Sequence, residues 1–242
     1  MSELTREHRQ AAGEAWRLED AGDGIKLLVF DAPGEKVNIL SETVLRELER
    51  VLDSLASDST LRALIVIGGK EDSGTFIAGA NVHEIRKVAS AAEATEKARL
   101  GQAVLGRFAT LPAVTIAAIH GTCLGGGTEL ALACDLRIAS HHPKTRIGLP
   151  EVQLGILPGF GGTQRLPRLV GLTRALPIIL TGKPQSVEKA AKIGLVDRVV
   201  YPPLLRDEAI AFAKEALANG GKQFVPRRPK QGWMIRSLEA LP

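Results

Sequence analysis

A chain of 242 residues, 45% hydrophobic and 24% charged, has the size and composition of one globular domain with a substantial core, which excludes a disordered chain. Its net charge of +4 is mild and mostly interleaved with acids, so no strong electrostatic case for a nucleic-acid partner arises from the chain as a whole. Apolar runs such as AVTIAAI at 113–119 fall far short of the roughly 20 residues of a membrane helix, and the charged start MSELTREHRQ lacks a secretory core. The expectation is a protein without a membrane span, cytoplasmic or, in a eukaryote, in an organelle matrix.

Residues 1–13 are polar and read as a flexible leader. Trp16 to Glu19, the turn AGDG and IKLLVF at 25–30 read as two strands around a glycine turn. Ser41 is placed to cap a helix on which Val44, Leu45, Leu48, Val51, Leu52 and Leu55 share one face. LRALIVI at 61–67 is a buried strand closed by two glycines, and TFIAGANVHEI passes from a short strand through small residues toward a helix. Ser90 and Glu93 form a capping box for a helix running to about Phe108, ended by Pro112.

The strand at 113–119 then leads to Gly125, Gly126 and Gly127 and an alanine- and leucine-rich helix that carries Glu129. Leu136 to Ala139 and Arg146 to Leu149 are further strands; Pro150 stops the second, with Glu151 directly behind it. Pro158, Gly159, Gly161 and Gly162 form a second tight turn feeding a helix near Thr163. Helices near 173–180, 186–193 and 203–218, with the strand VDRVV from Val196, complete an α/β pattern in which no internal repeat is legible. Lys222, Arg227, Arg228, Lys230 and Arg236 make 219–242 a basic segment, read as a truncated linker or helix start. Cys123 and Cys134 sit in apolar surroundings without metal spacing and read as small buried hydrophobes; the adjacent His141 and His142 read as loop residues.

The chemistry concentrates at three turns: Gly79-Ala80, Gly125 to Gly127, and Pro158 to Gly162, each read as a strand giving way to a helix. Helix N-termini offer N–H groups without intrahelical acceptors, which favour a negative charge. Glu129 lies one helical turn beyond Gly126, and a glutamate beside such an anion site suits proton transfer. In open α/β folds such strand ends converge on one edge, where ligands bind.

FIAGAN at 76–81, AAIHGTCLGGGTELALACD at 117–135 and GLPEVQLGILPGFGGTQRLPRLVG at 148–171, in that order and spacing, resemble the crotonase superfamily of enoyl-CoA hydratases and isomerases. The resemblance runs from about Trp16 to Ala218 and is strongest to the hydratase/isomerase part of multifunctional fatty-acid oxidation proteins. The GxGxxG of the dehydrogenase part of such proteins does not occur, so the expectation is a single-domain relative or, given the abrupt proline end, a fragment.

The resemblance implies an α/β spiral of β-β-α repeats with C-terminal helices, its catalytic domain at 14–218. It implies an assembly as trimers or hexamers, or a place in a larger β-oxidation protein. The substrate would be an acyl-CoA thioester, with no metal and no cofactor beyond the coenzyme A of the substrate itself. The oxyanion hole falls on the backbone N–H groups of Ala80 and Gly126, and the acid and base on Glu129 and Glu151, in either order. Gly159 falls beside the water, with Ala78 and Asn81 at the substrate. The reaction expected is hydration of trans-2-enoyl-CoA in fatty-acid β-oxidation, with Δ3-Δ2 enoyl-CoA isomerisation as the alternative at the same site. A non-catalytic assembly or RNA-binding relative using the basic tail is the rival of another class.

Overall fold

The computed structural model describes residues 14–70 and 73–224. The proposed leader at 1–13 and most of the basic segment, including Arg227, Arg228, Lys230 and Arg236, lie outside them. In chain order the elements begin β1 (Trp16–Asp20), β2 (Ile25–Phe30), α1 (Glu42–Ala56), β3 (Ala63–Gly68), β4 (Thr75–Ile77), α2 (Val82–Arg86) and α3 (Ala91–Thr110). They continue as β5 (Val114–Ile119), β6 (Thr122–Leu124), α4 (Gly126–Ala133), β7 (Leu136–Ser140), β8 (Arg146–Gly148) and a 3-10 turn at Pro150–Leu154. Then come α5 (Gly162–Val170), α6 (Leu172–Thr181), β9 (Gln185–Ser186), α7 (Val187–Ile193), β10 (Arg198–Val200) and α8 (Leu205–Ala218).

Two sheets form. The larger is ordered β1-β2-β3-β5-β7-β10, parallel except for the β1–β2 hairpin; the smaller is ordered β4-β6-β8-β9, its first three strands parallel. The β-β-α repeat is visible in this sorting. β3, β5 and β7 enter the large sheet, their successors β4, β6 and β8 the small one, and each pair then turns toward a helix. The first turn takes the same course, with β2, an isolated bridge from Leu40 to Ala80, and α1. The apolar runs of the large sheet are continuous because both faces are covered. Leu64 and Val66 of β3 face the core beneath α1 and α3, whereas Ile65 and Ile67 meet Phe212 and Ala213 of α8.

The helix expectations hold. Ser41 accepts from the Val44 N–H and Ser90 from the Glu93 N–H, while Leu45, Leu48, Leu52 and Leu55 bury one face of α1. Two of the differences from the sequence reading bear on the site. The chain does not pass from β5 straight into the glycine turn, because β6 intervenes. The corner between them needs Gly121, whose φ is 72° and whose Cβ would stand 1.7 Å from the Gly74 carbonyl oxygen. The Pro158–Gly162 turn, for its part, comes after the 3-10 segment; the strand end belongs to Pro150 and Glu151.

Lys222 is not part of a free basic face. Its Nζ donates to the carbonyls of Phe108 and Ala113 and to Asp135, tying the chain after α8 to the start of β5. Cys123 and Cys134 are buried, and burial pushes each thiol up to about 12.

The joint between the first two turns of the spiral is the buried Asn38. Its Oδ1 accepts from the Ala32 N–H, its Nδ2 donates to the Phe30 and Phe76 carbonyls, and its own carbonyl accepts from the Ala78 N–H. Replacing it by alanine strands several buried polar groups at once, each worth about 1–3 kcal/mol. We expect Asn38→Ala to lower unfolding free energy by about 3 kcal/mol in urea titration, against less than about 0.5 kcal/mol for an exposed control such as Glu96→Ala.

Candidate active site

The small parallel sheet brings three strand ends to one edge. β4 runs into Ala78 to Asn81, β6 into Gly125 and α4, and β8 into Pro150 and Glu151. These segments line one cavity of about 530 Å³, the scale of a small-molecule site. Ala78, Ala80, Asn81, Gly126, Glu129, Glu151 and Gly159 all reach it, so every site residue named from the sequence is brought together. Much of the remaining wall is apolar, with Leu40, Leu45, Ile85, Val88 and Phe160, and Lys97 pairs with Glu42 across part of it.

The turn into α4 is shaped by its first glycine. Gly125 has φ 50° and donates its N–H to the Gly148 carbonyl at 2.9 Å, and a Cβ on it would stand 3.2 Å from Glu151 Oε1. Among the described residues, neither the Ala80 N–H nor the Gly126 N–H has an acceptor. Gly126 opens α4, so its donor also carries the positive end of the helix dipole. Asn81 caps α2, its Oδ1 accepting from the His83 and Glu84 N–H groups. The Gly159 carbonyl accepts from Gln102 Nε2 at 2.8 Å.

Glu129 is only 1% exposed. Its Oε1 accepts from the Phe160 and Gly162 N–H groups, each at 2.7 Å. The donors therefore come from the entry to α5 rather than from its own helix. Burial pushes its carboxyl up to about 7, while those two N–H groups and the Arg165 guanidinium pull toward the charged form. Glu151, at the end of β8, is 9% exposed, and its buried Oε2 has no partner among the described residues. Burial first, and then the charge of Glu129, push it up to about 7 as well. The two carboxyls share their titration. The Phe160 and Gly162 N–H groups favour the charged form of Glu129, and the charge of Glu129 disfavours a second charge on Glu151.

Sequence reasoning missed three contributors here: the N–H groups of Phe160 and Gly162, and Arg165. The run GFGGTQR carried a signal, since a glycine turn opening a helix is itself an anion site; its anion is a side chain of the same protein. Among the described residues no group of histidine, cysteine, aspartate and glutamate could hold a metal ion, and no helix is long and apolar enough to cross a membrane.

The raised carboxyl of Glu151 sets a pH dependence of stability. Below its ordinary value of 4.5 it is protonated both folded and unfolded and contributes nothing. As pH rises through 4.5 toward 7 the unfolded chain ionises first, so stability falls. Glu151→Gln removes that penalty. It should exceed the parent by about 2 kcal/mol at about pH 8 and match it at about pH 4 in urea unfolding.

Comparison with known proteins agrees with this geometry. Residues 20–226 match the model of the enoyl-CoA hydratase/isomerase family. The fold is similar to an enoyl-CoA hydratase from Bacillus anthracis, with 35% identity, TM-score 0.78, and 86% of this chain and 78% of that one covered. It is similar to an enoyl-CoA hydratase from Geobacillus kaustophilus, with 33% identity, TM-score 0.78, and coverage of 84% and 75%. DspI of Pseudomonas aeruginosa aligns with 33% identity, TM-score 0.77, and coverage of 86% and 82%. With its two-sheet spiral and the three strand ends around one cavity, the chain belongs to the enoyl-CoA hydratase/isomerase family of the crotonase superfamily.

Proposed function

We propose that this chain hydrates trans-2-enoyl-CoA thioesters to 3-hydroxyacyl-CoA, a step of fatty-acid β-oxidation. The observation that carries the reading is the pair of buried glutamates, hydrogen-bonded on one member only, in a cavity that also holds two backbone donors without acceptors. Conjugate addition of water needs a base, an acid and a place for charge on the thioester oxygen.

Glu129 takes a proton from water as its oxygen bonds to carbon 3. The electron pair of the double bond moves onto the thioester oxygen, which the Ala80 and Gly126 N–H groups hold. Glu151 then delivers its proton to carbon 2 as the carbonyl reforms. Each turnover leaves the proton on Glu129 and the charge on Glu151, and exchange through solvent resets the pair. The substrate thioester is the electron sink, so the reaction requires no further cofactor.

Isomerisation of a 3-enoyl to a 2-enoyl thioester would use the same oxyanion site, but one shuttling carboxyl suffices for it. Two carboxyls in opposite protonation states favour hydration. A non-catalytic scaffold has no use for a buried Glu151 oxygen without a partner, a group that only subtracts from stability.

Hydration of crotonyl-CoA, monitored by loss of the enoyl thioester ultraviolet absorbance, tests the proposal. Glu129→Gln and Glu151→Gln should each reduce kcat by about 10² to 10⁴-fold with little change in KM. Near-normal hydration by both variants would remove it, and retained 3-enoyl isomerisation with no hydration in the parent would favour the alternative.

A further inference from the structure

The turn from Gly159 to Gly162 carries both N–H donors to Glu129, and two side chains anchor it. Gln102 on α3 holds the Gly159 carbonyl, and Arg165 on α5 donates Nη1 to the Phe160 carbonyl at 2.7 Å. The guanidinium is half-buried under the turn, so close that a Cβ on Gly161 would stand 2.4 Å from Nη1. Among the described residues no carboxylate lies within ion-pair distance of Arg165. A half-buried cation is expensive to leave without a carboxylate partner, and a surface role does not account for this one.

We propose that Arg165 is a positioning residue for the hydration reaction, fixing the Phe160 and Gly162 donors through the Phe160 carbonyl and facing Glu129 with a positive charge. The proposal rests on the reading of Glu129 as the base. Glu129 is faced by Glu151 from the 3-10 turn behind β8 and by Arg165 from α5; Arg165 is faced in turn by Arg168 on its own helix and by Cys134 at the end of α4. Burial presses Glu129 toward its neutral form, in which it cannot take a proton from water. Arg165 opposes burial, since a nearby cation favours the carboxylate. Its own pKa is lowered by burial but from far above neutrality, so the side chain stays charged at neutral pH.

The test compares the parent with Arg165→Gln, which keeps an amide donor and loses the charge, and Arg165→Lys, which keeps the charge. In Arg165→Gln the acidic limb of the kcat–pH profile for crotonyl-CoA should move to higher pH. We expect a loss of about tenfold at about pH 5.5, less than about twofold at the top of the profile, and an unchanged KM. Arg165→Lys should bring the limb back toward the parent. Independently of turnover, infrared difference spectra against Glu129→Gln track the carboxyl C=O band of Glu129. Its midpoint should rise in Arg165→Gln and return in Arg165→Lys. A limb and midpoint unmoved in Arg165→Gln, or an Arg165→Lys that behaves like it, would overturn the proposal; Arg165→Met carries the same expectation should Arg165→Gln not fold. Full hydration by Glu129→Gln would instead sink the reading of Glu129 as base, and the infrared midpoint would still report on Arg165.

Discussion

The site depends on where Glu129 finds its hydrogen bonds. A glutamate in the first turn of a helix ordinarily compensates the free N–H groups of that same turn. Here the carboxylate leaves α4 and takes the Phe160 and Gly162 N–H groups of the α5 entry. The same bonds have two consequences. The Gly126 N–H stays open toward the cavity, and a carboxylate only 1% exposed keeps partners enough to remain charged. Had Glu129 capped its own helix, its carboxylate and the Gly126 N–H would have neutralised each other.

That exchange of partners needs α4 and α5 side by side, and the small sheet supplies the frame. β4, β6 and β8 run parallel, so their ends reach one edge carrying Ala80, Gly126 and Glu151. The third turn of the spiral departs from the others just beyond its strand. After β8 the chain makes a 3-10 turn with Pro150 in its first position, which seats Glu151 at the strand end and delays α5 until Gly162. The intervening residues bring the α5 entry back over Glu129. An immediate strand-to-helix connection would have left the carboxylate without donors.

How much of this the sequence displays depends on the range of each interaction. LRALIVI and AVTIAAI show strands covered on both faces, and the stripe from Leu45 to Leu55 shows α1, because each pattern is local. β6 escapes because three residues between glycines carry too little pattern for a period. The donors to Glu129 lie 31 and 33 positions away, and Lys222 meets Asp135 across 87, separations over which no periodicity speaks. The candidate site is legible as three motifs, and their convergence on one edge follows from the way strand ends gather in open α/β folds. What the motifs concealed is that GFGGTQR acts on Glu129 before it acts on any ligand.

The two glutamates also show why burial alone would not make an acid and a base. Desolvation raises both carboxyls and on its own would favour two neutral acids, neither able to accept a proton. Their neighbours differ: two N–H groups and a guanidinium at Glu129, against an unpartnered oxygen and a facing negative charge at Glu151. For the proposed hydration these neighbours favour a resting pair that shares one proton, with the charge on Glu129. In the proposed hydration, addition of water would move the proton to the less favourable arrangement, with the charge on Glu151. The donors that favour charge on Glu129 thus also favour return to the starting state, so the asymmetry that prepares the site for one turnover restores it for the next.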